Sequence, residues 1–199
     1  IQGRGSVRQL LGERETSVHA RPLLGKPTPC VGRQTELAFL EGILSECINE
    51  PEARAVLITS PPGIGKSRLR GEFVERARKR QSVIRILSAR GDPVYAGSAF
   101  VLAAQLIRGA MELSASEGAE AQHACLRRYL RDLLEERPAE HAAEFLGELV
   151  RAPTTGAPSP LLVAARNDPR IMFEQLHTAF ESWLGAMACS ATVLLVLDD

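Results

Sequence analysis

The stretch Ala55 to Leu69 reads AVLITSPPGIGKSRL, and it constrains the fold more than any other part of the chain. An apolar run, Ala55-Val56-Leu57-Ile58, leads into Thr59-Ser60-Pro61-Pro62-Gly63-Ile64-Gly65-Lys66-Ser67. A helical pattern follows at once. Strand, glycine loop and helix in that order make a phosphate-binding P-loop. Gly63 and Gly65 lack a Cβ, so the backbone can curl with its N–H groups facing an anion. Lys66 brings a positive charge to the terminal phosphates, and Ser67 offers a hydroxyl to Mg²⁺. The next helix adds its partial positive charge. The candidate nucleotide-binding residues are therefore Pro62, Gly63, Ile64, Gly65, Lys66, Ser67 and Arg68. One position departs from the pattern G-x-x-x-x-G-K-[ST]: its first glycine is Ser60 here.

With 199 residues the chain can build one substantial core and a small subdomain besides. Hydrophobic residues make up 45% and charged residues 24%, the balance of an ordinary soluble globular protein. The formal net charge is zero, which argues against bulk attraction to nucleic acid or to an acidic membrane. Cys30, Cys47, Cys125 and Cys189 are far apart, so neither a zinc site nor a disulfide framework is expected, and they read as reduced thiols of a cytoplasmic protein. The apolar run from Ala99 to Ile107 is too short to span a bilayer.

Residues 1–28 carry scattered Gly and Pro and little periodicity, as a linker or the tail of an upstream domain would. A helix is expected through Leu37, Leu40, Ile43, Leu44, Cys47 and Ile48, with Thr35 as its N-cap. After the glycine loop, Leu69, Phe73, Val74 and Ala77 form an apolar stripe. On the other side, Glu72 with Arg76 and Glu75 with Lys79 are spaced for ion pairs. Ser82 to Ser88 reads as a second buried strand. Ser98 is expected to cap an apolar helix. Two amphipathic helices follow, through Leu126 to Leu134 and Ala142 to Val150. A loop is expected over 152–160. Asp168-Pro169 then starts a helix that carries Trp183 on a core face.

The chain closes with Thr192-Val193-Leu194-Leu195-Val196-Leu197-Asp198-Asp199. A buried strand ending in acids is the Walker B pattern, weak alone and strong beside a P-loop. It would carry its carboxylate to the ligand-binding end of the sheet. Asp198 would hold Mg²⁺ and Asp199 would polarise the attacking water. Lys66, Asp198 and Asp199 are thus the candidate catalytic residues, and Ser67 and Asp198 the candidate metal ligands. Three buried strands separated by helices predict an α/β fold with a parallel sheet. Its large helical insertion, about 98–188, falls between the second and third strands.

Val31-Gly32-Arg33-x-x-Glu36-Leu37, the glycine loop through Leu69, and Leu194 to Asp199 together resemble the bacterial ORC-like AAA ATPase domain of the STAND signalling ATPases. The resemblance covers about 30–199, and its specific parts are the Val-Gly-Arg box and the P-loop. It implies a P-loop NTPase of AAA/ASCE type, with ATP and Mg²⁺ as its ligands. Val31, Gly32 and Arg33 would lie against the adenine, Lys66 would contact the β- and γ-phosphates, and Asp198 would join the Mg²⁺ shell. Asp199 stands where many relatives have glutamate, and its reach is shorter. Such domains are middle modules of large regulators, often after a serine/threonine kinase domain and before helical repeats or another output domain. The family's sheet order, 5-1-4-3-2, puts a sensor strand between the P-loop strand and the Walker B strand. That strand, the fifth strand and the lid would follow Asp199, so the domain is expected to be truncated here and to hydrolyse poorly in isolation.

Three functions are compatible with these features. The first is an ATP-driven switch in a signalling or transcriptional regulator, with slow hydrolysis. The second is a non-catalytic nucleotide-binding scaffold for partner proteins. The third, a DNA-loading initiator-like ATPase, fits least well with a neutral chain lacking a basic stripe. A nucleotide-dependent oligomer stays open.

Overall fold

A computed structural model describes residues 31–50, 52–80, 82–91, 100–111, 118–154 and 156–198. The N-terminal linker assignment, the Ser98 cap and Asp199 lie outside them.

Helix α1 (Gln34–Asn49) buries Leu37, Leu40 and Leu44, one side of a 3.6-residue period. Helix α2 (Lys66–Arg78) buries Leu69, Val74 and Ala77. Leu37, Leu40 and Leu69, with Phe73 against them, form a small core of their own. Polar contacts reinforce it. Arg76 pairs with Glu72 on its own helix and with Glu41 across on α1, which holds the guanidinium above its ordinary pKa. Arg80 donates to the Ser45 hydroxyl and to the Glu41 carbonyl.

Two strands, β1 (Ile84–Arg90) and β2 (Thr192–Asp198), pair in parallel, with Ile84 opposite Thr192 and Arg90 opposite Asp198. Period-2 alternation sends Leu87, Ala89, Val193 and Leu195 into the main core. Asp198 consequently falls on the opposite face, with Leu194 and Val196. On the far edge of β1, the Gln105 side chain accepts from the Arg90 N–H and donates to the Arg90 carbonyl, both at 2.8 Å. A side-chain amide there stands in for a neighbouring strand.

Between the strands run α3 (Val101–Ala110), α4 (Ala119–Leu133), α5 (Glu136–Leu149), α6 (Pro160–Asn167) and α7 (Pro169–Ser190). They bury Ile107, Leu126, Leu130, Phe145, Leu146, Leu162, Trp183 and Met187 in one core that reaches the sheet. Two starts are written in the chain. Asp168 Oδ1 accepts from the Arg170 N–H at 2.9 Å, ahead of Pro169, as expected. Ser159 Oγ accepts from the Leu162 N–H at 3.1 Å ahead of Pro160, and Glu144 grips Ser159 twice at 2.6 Å. Helix α5 ends in a tight turn where Arg151 takes φ 59° and the Ala152 N–H donates to the Gly147 carbonyl. His123 Nδ1 donates to the Ala152 carbonyl, and Arg108 donates to the Val150 carbonyl.

Four expectations need correction. Ala55 to Ile58 is not a strand. Val56, Leu57 and Ile58 are exposed, Leu57 at 88%, and no described strand pairs with them. Apolarity states a capacity for burial; a strand also needs a ladder partner, and β1 and β2 pair with each other instead. The parallel sheet therefore has two strands among the described residues, not three. Thr35 does not cap α1, which begins at Gln34 with Arg33 in the capping position. Glu75 pairs with Arg78, not with Lys79. Pro160, expected in the loop, and residues 161–167, given no element from sequence, form α6; the Ser159-Pro160 start is the signal.

Cys47, Cys125 and Cys189 are free thiols, and among the described residues no helix is long and apolar enough to cross a membrane.

Candidate functional site

The loop geometry follows from its glycines. Gly63 adopts φ 83° and Gly65 φ 95°, both left-handed, where a side chain would be strained. A Cβ on Gly63 would meet nothing within 4 Å, and one on Gly65 only the Arg68 Cβ at 3.9 Å. A Cβ at either position would enter open space, so the cost of a side chain there is the strained φ alone. Ser60 needs no such freedom: the one described non-glycine residue at positive φ is Arg151. The departure from the glycine pattern leaves no backbone strain behind.

Gly65 sets the N-terminus of α2, and no side chain caps it. Helix geometry leaves the Lys66 and Ser67 N–H groups without an intrahelical carbonyl. By contrast, α6 and α7 are capped by Ser159 and Asp168. Lys66 Nζ donates to the Ser60 carbonyl at 2.8 Å, which arches the side chain over the loop. Ser67 is exposed on the first turn, Pro62 and Ile64 are exposed in the loop, and Arg68 is half-buried.

The Val-Gly-Arg box reaches the same loop. Arg33 Nη2 donates to the Ile64 carbonyl at 2.8 Å, and its Nη1 pairs with Glu36 at 2.6 Å. That hydrogen bond holds the Glu36 carboxyl below its ordinary value. Gly32 sits at φ 77°, and Val31 is 79% exposed beside it. The Arg33 guanidinium clamps the loop, a contact across 31 residues that spacing does not reveal.

Asp198 ends β2 on the face turned to α2, where its Oδ2 forms an ion pair with Arg70 Nη1. Sequence reasoning passed over Arg70. The available signal was its position three residues after Ser67, on the same face of the helix. Among the described residues no cluster of three His, Cys, Asp or Glu side chains gathers to hold a metal. The Ser67 hydroxyl and the Asp198 carboxylate are oxygen donors of the kind Mg²⁺ takes. A cleft of about 440 Å³ along α4, lined by Glu120, His123, Arg127, Arg128, Arg131 and Asp132, shares no residue with the loop.

Left-handed glycines opening onto an uncapped helix, a lysine over the loop and a strand-end carboxylate beside that helix define the class: P-loop nucleotide-binding proteins. Within it, the chain belongs to the AAA ATPase domain family, whose model matches residues 29–199. Comparison with curated proteins and with solved structures gives no match. Family membership brings nucleotide binding, and it fits the helical majority and the short parallel sheet.

Proposed function

We propose that this chain is the ATP-binding module of a bacterial signalling or transcriptional regulator of the STAND type. Nucleotide state acts there as a conformational switch, and slow hydrolysis resets it. The observation that carries this proposal is the open left-handed loop at the uncapped start of α2, with Lys66 over it.

The residues have separable roles. The Gly63 to Ser67 backbone and the α2 terminus hold the phosphates. Lys66 leaves the Ser60 carbonyl for the β- and γ-phosphate oxygens, a charge-assisted contact in place of a neutral one. Val31 and Gly32 lie against the base, while Arg33 fixes the loop that faces it. Ser67 and Asp198 would hold Mg²⁺, which would supply positive charge against that developing on the phosphate oxygens. Asp199 polarises the attacking water. An upstream kinase domain and a downstream output domain are the partners this module would address.

ATP with Mg²⁺ at a hundred times its Kd should stabilise the folded chain by about 2.7 kcal/mol, read as a rise in melting temperature. An unchanged melting temperature at millimolar ATP would remove the proposal.

A second function, a nucleotide-binding scaffold without turnover, draws support from the ion pair that occupies Asp198. Phosphate release at background rate from nucleotide-bound protein would favour it over the switch.

A further inference from the structure

The ion pair between Arg70 and Asp198 joins the helix that follows the glycine loop to the strand that carries the metal carboxylate. It is also sheltered, with side-chain exposures of 19% for Arg70 and 15% for Asp198. The other ion pairs on α2 are more open, such as Arg78 with Glu75 at 58% and 49%.

The placement is not neutral toward the site. Arg70 lies one helical turn after Ser67 on the same face of α2. Alternation along β2 turns Asp198 to that face, away from Leu195 and the main core. A cation shared by Ser67 and Asp198 would sit next to the guanidinium. Two cations on one carboxylate repel, and they repel more strongly where water is scarce. A contact that excludes the metal must be weakened by it to the same degree.

We propose that Arg70 is an internal counter-ion for Asp198 that competes with the divalent cation of bound nucleotide. The proposal rests on the ATP site described above and adds its regulation. Without metal-bound nucleotide, Arg70 neutralises Asp198 and ties α2 to β2. When Asp198 turns to the metal, its ion pair with Arg70 is lost. Nucleotide state thereby reaches the sheet through that ion pair. Arg70 acts here as a positioning residue, through Asp198 and not on the nucleotide.

The test separates nucleotide from metal. Affinity of the full chain for a fluorescent ATP analogue is measured in EDTA and across a Mg²⁺ titration, for wild type, Arg70→Gln and Arg70→Lys. In EDTA all three should bind alike. The Mg²⁺ concentration giving the half-maximal effect should fall about tenfold in Arg70→Gln, while Arg70→Lys, which keeps the charge, stays near wild type. An unchanged or higher Mg²⁺ requirement in Arg70→Gln would overturn the competition while leaving the ATP site standing. Absence of binding in every condition would remove the ATP site, and the competition with it. Because Arg70→Gln could unfold, the wild type supplies a second readout. The Arg70 Nε–H resonance should shift when Mg²⁺ is added to the ATP-bound chain and stay in place with ATP in EDTA. A resonance that does not respond to Mg²⁺ would overturn the proposal.

Discussion

Two loop positions behave in opposite ways because of a single angle. Gly65 stands at φ 95°, and an alanine there would hold a left-handed backbone at a cost of about 1–2 kcal/mol. No clash accompanies that strain, since the nearest atom is 3.9 Å away. Gly65→Ala should therefore lower the melting temperature and weaken ATP binding together. Ser60, outside the left-handed region, gains nothing from glycine. Ser60→Gly should leave stability within about 0.5 kcal/mol of wild type in a urea melt. Glu140 supplies a residue-scale test of charge. Partial burial pushes its pKa up, but hydrogen bonds from Arg127 and Arg131 outweigh this and hold it below the ordinary 4.5. The folded value is the lower one. Its stabilisation is thus present above pH 4.5 and is lost as pH falls through the folded value. With Glu140 38% exposed, solvent screening keeps the effect to about 0.5 kcal/mol. Stability measured from pH 7 downward should lose that component in wild type and lack it in Glu140→Gln.

Among the elements, those with local instructions were legible and those needing distant partners were not. Helices α4, α5 and α7 announced themselves through apolar spacing, and Asp168-Pro169 marked the start of α7. The Walker B run became β2 because Val193 and Leu195 have a core to enter and β1 to pair with. Ala55 to Ile58 has the same composition but no ladder neighbour, and it remains outside any described strand. Composition describes the side chains of a strand, whereas pairing is a property of two segments. The end of α5 shows a constraint of the same long-range kind. A Cβ on Gly147 would lie 2.7 Å from the Ala152 carbonyl oxygen and 3.1 Å from His123 Nδ1. Gly147→Ala should cost about 1–3 kcal/mol in chemical denaturation through overpacking, although alanine is the better helix former. A neutral or stabilised variant would show that the turn at Arg151 yields easily.

For the whole molecule, the site is divided between two lobes. The small α1–α2 core presents the glycine loop, Lys66 and Arg33, while the strand ending the larger helical core presents Asp198. The sequence contained each part, since the loop and the acid-terminated run are local patterns. Their meeting through Arg70 and the Arg33 clamp on Ile64 are tertiary contacts that no spacing encodes. The central claim is that Lys66 and the open loop hold the phosphates of ATP. Isothermal titration of ATP with Mg²⁺ into wild type and Lys66→Ala tests it most directly. Loss of a charge-assisted phosphate contact of about 1.5–3 kcal/mol predicts affinity at least roughly tenfold weaker in Lys66→Ala, with an unchanged fold by circular dichroism. Equal affinity in the two proteins would contradict the account.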